Sequence, residues 1–191
     1  MSLTTIVVSL TGCVSKTEPA TNETLTETEI TETTTATETP SNEPYEYINK
    51  DKGFSFTLPA AWTFQENVFG SLVMFFAPQT EGDKTKENLG VSIVELTGKV
   101  DLKSYYELAK GILESKTNDF KIEKEEELTI NGENAMKIIF KWSESETKFQ
   151  REQVIVLKWT TVYVLVYTAT QDTFNDFIND ADTIINTFKV Q

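Results

Sequence analysis

Glu127-Leu128-Thr129-Ile130-Asn131-Gly132-Glu133-Asn134-Ala135-Met136-Lys137-Ile138 carries two strands and the turn between them. Asn131-Gly132 is the strongest hairpin signal in the chain, because both residue types accept the positive φ that a type I′ turn demands. It joins a strand from Glu127 to Ile130 to a second from Ala135 to Trp142. In the second strand Met136, Ile138, Phe140 and Trp142 share one face, since side chains alternate with a period of two. A two-residue loop can only connect antiparallel neighbours. The sheet is therefore expected to be antiparallel, without the long crossovers of a parallel α/β fold.

Toward the C-terminus, Lys148 to Lys158 and Val162 to Thr170 read as two further strands. Val162-Tyr163-Val164-Leu165-Val166-Tyr167 is apolar on both faces, which places it centrally with helices on both sides. Toward the N-terminus, Tyr45 to Ile48 leads through a loop ending at Gly53 into a strand with Phe54, Phe56 and Leu58 on one face. Pro59 ends that strand. Ser71 to Ala77 and Gly90 to Leu96 are further strands, and Glu81 to Asn88 between them reads as a charged, exposed loop.

Two helices fit the remaining periodicity. Asp101 is a good N-cap for the first, with Leu102, Tyr105, Ala109, Ile112 and Leu113 at helical spacing. The second runs from about Asp172 to Phe188, with Phe174, Phe177, Ile178, Ala181, Ile184, Ile185 and Phe188 forming one apolar stripe. The order strands, helix, strands, helix predicts an α+β chain: an α/β/α sandwich with a central antiparallel sheet.

Tyr47, Gly53-Phe54-Ser55-Phe56 and Pro59-Ala60-Ala61-Trp62 together resemble the opening of PsbP-like domains, an aromatic strand pair followed by Pro-x-x-Trp. Three later features keep the same order: the helix after Asp101, the Asn131-Gly132-x-x-Ala135 hairpin, and a closing Ile184-Ile185-Asn186-Thr187-Phe188. The resemblance spans Tyr45 to Gln191 and implies an α/β/α sandwich. Its photosynthetic members are extrinsic photosystem II subunits, other members are lipoproteins of non-photosynthetic prokaryotes, and a distant relative binds the Ran GTPase. The resemblance thus implies a binding module and not an enzyme. Metal-binding histidines of the photosystem members have no counterpart here.

Composition excludes several functions. The chain has no histidine, which removes the usual general base and the commonest metal ligand. One cysteine excludes an internal disulfide and a cysteine zinc site. A net charge of −13 argues against nucleic acid, whose phosphates need clustered Lys and Arg. From Tyr45 onward, 16 basic against 23 acidic residues leave −7. Carboxylates are abundant, but no spacing singles out a catalytic pair or a cofactor motif. No catalytic residue, metal ligand or cofactor is expected.

The N-terminal segment carries an address. Leu10-Thr11-Gly12-Cys13 follows the apolar Ile6 to Leu10 and resembles a lipobox, the signal peptidase II site of prokaryotic lipoproteins. Residues 1–13 read as the remnant of a lipoprotein signal peptide. Met1-Ser2-Leu3 lacks the basic residues that open such a signal and reads as a replaced start. Cys13 is then the lipid-bearing residue, which anchors the chain to the membrane on the extracytoplasmic face of the cell envelope. Thr17 to Pro40 holds 11 Thr and 6 Glu in 24 residues, with no apolar face to bury. Residues 14–44 are expected to be a disordered, extended linker. Asn22-Glu23-Thr24 fits a glycosylation pattern, though an unmodified spacer is the simpler reading.

The expected function is a lipid-anchored, non-enzymatic binding or accessory module for another envelope protein; the alternative is a surface lipoprotein that binds a small ligand or a divalent cation. Trp62, Phe64 and Phe69, in a stretch after Pro59 that reads as irregular, are the candidate partner surface. Trp142 and Trp159 read as core or sheet-edge residues. Asp172, Asp176 and Asp180 form a ladder on the second helix, opposite its apolar stripe, and read as a solvated face. They advance over about 12 Å of helix axis, too far for one ion to take all three.

Overall fold

The computed structural model describes residues 42–79 and 85–191. Cys13, the lipobox and nearly all of the linker lie outside these residues. The elements in order are β1 (Tyr45–Asn49), β2 (Phe54–Leu58), β3 (Thr63–Val68), β4 (Ser71–Phe76), β5 (Asn88–Glu95), α1 (Leu102–Lys116), β6 (Asn118–Ile130), β7 (Glu133–Glu144), β8 (Thr147–Lys158), β9 (Thr161–Thr170), α2 (Phe174–Asn186) and β10 (Lys189–Val190).

The hairpin that decides the fold forms as its sequence demands. Ile130 pairs with Glu133 across the loop, and Asn131 and Gly132 take φ of 48° and 90°. Every strand pair among the described residues is antiparallel. Seven strands make the main sheet in the order β3-β4-β5-β9-β8-β7-β6. β9 is its middle strand, where a segment apolar on both faces belongs.

Each face of this sheet has its own core. On one face α2 lays Phe174, Ala181, Ile184 and Ile185 over Val154, Tyr163, Leu165 and Tyr167. On the other, α1 lays Tyr105, Tyr106, Ala109 and Leu113 over Met136, Ile138, Phe140 and Ile155. Each fully buried Val, Leu, Ile or Phe among them contributes about 1.5–3 kcal/mol. The sandwich expected from the sequence is the one observed, with α1 and α2 on opposite faces.

Four expectations need correction. The N-terminal strands do not join the main sheet: β1, β2 and the short β10 form a separate three-stranded sheet. It packs beside α2, where Phe54, Phe56 and Phe188 meet at centroid distances of 5.0–6.3 Å. The stretch after Pro59 is not irregular. It becomes β3, paired with β4 from Thr63–Phe76 to Val68–Ser71, because its side chains alternate against the neighbouring strand. Glu87 and Asn88, read as part of an exposed loop, are buried. Finally, α2 starts at Phe174 with Thr173 as its N-cap, not at Asp172.

The caps elsewhere follow the sequence. Asp101 accepts a hydrogen bond from the Ser104 N–H at 2.9 Å, satisfying one of the unpaired amides at the start of α1. The expected stripe of α1 includes Ile112, but the face that packs is Tyr105, Tyr106, Ala109 and Leu113. Tyr106 joins that face in place of Ile112, and its hydroxyl donates to Glu125 on β6.

Candidate functional site

The three aromatics proposed as a partner surface do not stay together. Trp62 is fully buried and Phe64 nearly so. Their rings serve the core: Phe64 stacks edge-on against Tyr47 at 4.8 Å, and Trp62 meets Phe177 of α2 at 6.3 Å. Only Phe69 is exposed, at 56 %. It occupies the tip of the β3–β4 hairpin beside Gly70, both with positive φ.

Register places a second aromatic at the same end of the sheet. Ser71 starts β4 where β5 ends, because Val73 pairs with Val91. The end of β5 lies beside the start of β9, because Glu95 pairs with Thr161. That start is joined to β8 through the two-residue loop Trp159-Thr160. Trp159 is 76 % exposed, which corrects its reading as a core or sheet-edge residue; Trp142 is buried as expected. Phe69 and Trp159 thus sit on two hairpin tips about three strand spacings, or roughly 14 Å, apart. Lys158 Nζ lies 5.0 Å from the Trp159 ring. The sequence signal for Trp159 was its place between two strong strands, which forces a turn there.

The acidic ladder of α2 is not one solvated face. Asp172 and Asp176 are exposed, but Asp180 accepts the indole N–H of Trp62 at 3.1 Å. That bond links residues 118 positions apart and satisfies the polar atom of a buried ring. Among the described residues, no group of three or more acidic side chains is placed to hold one metal ion.

A cluster the sequence did not signal lies under α2. Lys137 on β7 points to the α2 face, because it alternates with Ile138 of the α1 core. Its ammonium sits 2.7 Å from Asp182, 2.9 Å from Glu152 and 3.9 Å from Glu126. Glu152 is wholly buried. Its contact with Lys137 has the distance of an ion pair but not the geometry of a hydrogen bond, and neither carboxylate oxygen makes a hydrogen bond. Burial, relieved only in part by Lys137 and reinforced by the like charge of Asp182, pushes the Glu152 carboxyl up to about 7. Burial pulls Lys137 down, but Asp182 and Glu152 more than offset it and its pKa rises. The cluster is closed to solvent at Glu152, so it bears on stability and not on surface chemistry.

A groove of about 460 Å³ runs between the start of α1 and the β6–β7 hairpin, lined by Asp101, Lys103, Glu127, Thr129, Asn134 and Met136 among others. Its walls are mixed in polarity and carry no convergent set of buried polar groups.

A family model described as "PsbP-like protein" matches residues 2–190. The chain belongs to the PsbP-like protein family. Solved structures share the PsbP-like fold at low identity. LpqN of Mycobacterium tuberculosis, described as involved in cell envelope biogenesis, is 16 % identical with a TM-score of 0.59, covering 83 % of this chain and 92 % of its own. Cyanobacterial PsbP of Synechocystis is 14 % identical with a TM-score of 0.55, covering 78 % of this chain and 94 % of its own. The Ran-binding protein Mog1p of Saccharomyces cerevisiae is 11 % identical with a TM-score of 0.50, covering 78 % of this chain and 96 % of its own. Among functionally curated proteins, none matches this sequence significantly. At these identities the PsbP-like structures share a fold, and the site must be argued from this chain's own residues.

Proposed function

We propose that this PsbP-like protein is a lipid-anchored, non-enzymatic accessory module that binds another protein at the extracytoplasmic face of the cell envelope. Membership of the PsbP-like family carries the reading. Two relatives of the same fold are described by an envelope process and by protein binding, not by a reaction. Cys13 in its lipobox supports the anchor, and the Thr/Glu-rich segment supports a tether that holds the domain clear of the membrane. Phe69 and Trp159 support a protein partner, because exposed aromatics on rigid turns offer large contact area at little entropic cost.

Expression with a native lipoprotein leader, followed by cross-linking in intact membranes, tests the proposal. The expected result is diacylated Cys13 in the membrane fraction and one recurrent cross-linked envelope protein. Replacing both Phe69 and Trp159 by Ser should reduce its capture, and Cys13→Ala should leave the protein unlipidated. A soluble, unmodified product, or capture indifferent to both tip residues, overturns it.

A further inference from the structure

β6 is an end strand of the main sheet, with β7 on one side and no strand on the other. Its Ile130 pairs with Glu133 across the two-residue Asn131-Gly132 loop. A loop of that length closes on a pair that exchanges both of its hydrogen bonds, and such pairs alternate along an antiparallel ladder. The register runs without interruption from Ile130 back to Lys124. The main-chain groups of Ile130, Leu128 and Glu126 are therefore turned to β7, and those of Thr129, Glu127 and Glu125 are turned outward. Among the described residues, no group bonds to these outward N–H and C=O groups. Nearer its start β6 has two register shifts, between Asn118 and Lys121 and between Ile122 and Lys124. Bulges of this kind bend an edge away from a neighbour. The half from Lys124 to Ile130 has none.

Glu125, Glu127 and Thr129 are exposed and lie on the α1 side. Glu125 accepts from the Tyr106 hydroxyl and from Lys110 of α1. Glu127 and Thr129 line the groove of about 460 Å³ together with Asp101, Leu102 and Lys103 at the start of α1. Leu128 and Ile130 turn the other way and pack on the α2 core, and Glu126 lies on that side near Lys137. Between Lys121 and Ile130 the strand carries four glutamates against two lysines. Glu127 is in no ion pair among the described residues. A second copy of this chain is a poor occupant of the edge. A self-paired register centred on Glu127 sets that carboxylate against its own copy, and like charges directly opposite each other destabilise. A basic strand gains from the same charges.

We propose that the edge of β6 from Lys124 to Ile130 accepts an extended segment of a partner protein as an added antiparallel strand, with a Lys or Arg opposite Glu127 and a second opposite Glu125. Main-chain bonds to Glu125, Glu127 and Thr129 supply the affinity, and alternate side chains supply the selectivity. Partner residues opposite these three fall on the α1 side, where the basic side chain opposite Glu127 meets that carboxylate beside the groove. Residues opposite Glu126 and Leu128 fall on the α2 side, where the half-buried Leu128 favours an apolar neighbour. The net charge of −13 steers a basic segment toward the chain. This rests on the protein-binding reading above and goes beyond it, because it assigns a contact separate from Phe69 and Trp159 and names the chemistry of what binds there.

The test uses the purified chain at low ionic strength and an acetylated, amidated heptapeptide, Thr-Thr-Val-Lys-Thr-Lys-Thr. Set antiparallel with its fourth residue opposite Glu127, the peptide places its sixth opposite Glu125 and its valine opposite Leu128. The comparison arms are the same peptide with glutamate for both lysines, with the fourth amide N-methylated, and with the fifth amide N-methylated. Chemical shifts and hydrogen exchange of the chain's amides are read. The lysine peptide should shift and protect the amides of Glu125, Glu127 and Thr129, and bind at least about tenfold tighter than the glutamate peptide. Methylating the fourth amide, which faces β6, should weaken binding at least about fivefold, and methylating the fifth, which faces away, less than about twofold. Thr129→Pro removes one outward N–H without touching the bonds to β7 and should also weaken binding. Equal loss from the two methylated peptides, or binding that leaves the three amides unprotected, reduces the contact to charge attraction and overturns the proposal. Protection of those amides before peptide is added assigns the edge to the chain itself and overturns it equally. The cross-linking experiment reads Cys13, Phe69 and Trp159, and it can find an envelope partner whatever happens at β6, so failure here is distinct from failure of the anchored-module reading.

Discussion

Lys137 Nζ stands 2.9 Å from Glu152 Oε1 between the main sheet and α2, and the charges around this pair are acidic. Asp182 approaches from α2, and Glu126 faces Lys137 from β6. Tyr167 lies directly opposite Glu152 on β9. One ammonium therefore serves three carboxylates of very unequal burial. Glu152 is inaccessible, whereas the Asp182 and Glu126 side chains are 38 % and 35 % exposed.

This arrangement makes stability depend on pH through Glu152. Its carboxyl stands at about 7 when folded, against 4.5 for the ordinary group. Between those values the folded chain holds a proton that the unfolded chain has released. Stability therefore falls as pH rises across that window, and the contribution is fully present only below it. The effect is on the order of 3 kcal/mol. Glu152→Gln should flatten the slope of unfolding free energy between pH 5 and pH 7.5 relative to wild type, as read from urea titrations at steps across that range. Parallel profiles for the two proteins would disprove the assignment.

Lys137→Met should be severe and pH-dependent. Above pH 7, where Glu152 is charged, it leaves that carboxylate buried without a cation, at a cost of up to about 3–5 kcal/mol. The loss should be smaller at acid pH, where Glu152 is neutral. The double variant Lys137→Met, Glu152→Met should recover most of the loss, because an apolar pair of similar volume replaces the charges. Chemical denaturation of the three proteins gives the answer, and a double variant no better than the single one refutes it.

The Asn131-Gly132 turn also closes α2. The Asn131 amide donates to the Asn186 carbonyl at 3.1 Å and to the Phe188 carbonyl at 2.7 Å. The Asn186 carbonyl belongs to the end of the helix and has no partner within it, and Phe188 lies just past the C-cap Thr187. Asn131→Ala should cost about 1–2 kcal/mol from these bonds. Gly132→Ala should cost a similar amount, about 1–2 kcal/mol, because φ is 90° there. An Asn131→Ala protein with an unchanged denaturation midpoint would show that the hairpin and α2 are not coupled.

Asp180 accepts the indole N–H of Trp62. Asp180→Ala leaves the buried indole N–H without an acceptor and should cost about 1–3 kcal/mol, with a shift in Trp62 emission. Millimolar calcium should leave the thermal midpoint of the wild-type protein unchanged. A stoichiometric calcium site that Asp176→Asn abolishes would overturn this and favour a cation-binding role.

The parts of this protein that rest on local chemistry are legible in its residues alone. Asn131-Gly132 required a type I′ hairpin, Asp101 required a helix start, and the doubly apolar Val162 to Tyr167 required a central strand. These readings succeed because turn geometry, capping and alternation depend on a few adjacent residues. The PsbP-like family was likewise legible from motif order. Tertiary structure alone decided what depends on residues far apart in the chain. Alternation could not tell that β1 and β2 leave the main sheet, because which sheet a strand joins is set by packing against α2. Trp62 and Phe64 read as exposed aromatics until β3 paired with β4 and buried them. Asp180 read as a surface acid until Trp62, 118 residues away, reached it. The Lys137 environment was invisible for the same reason. Whether a charge is paired or alone is a matter of which strands become neighbours, and only the folded chain specifies that.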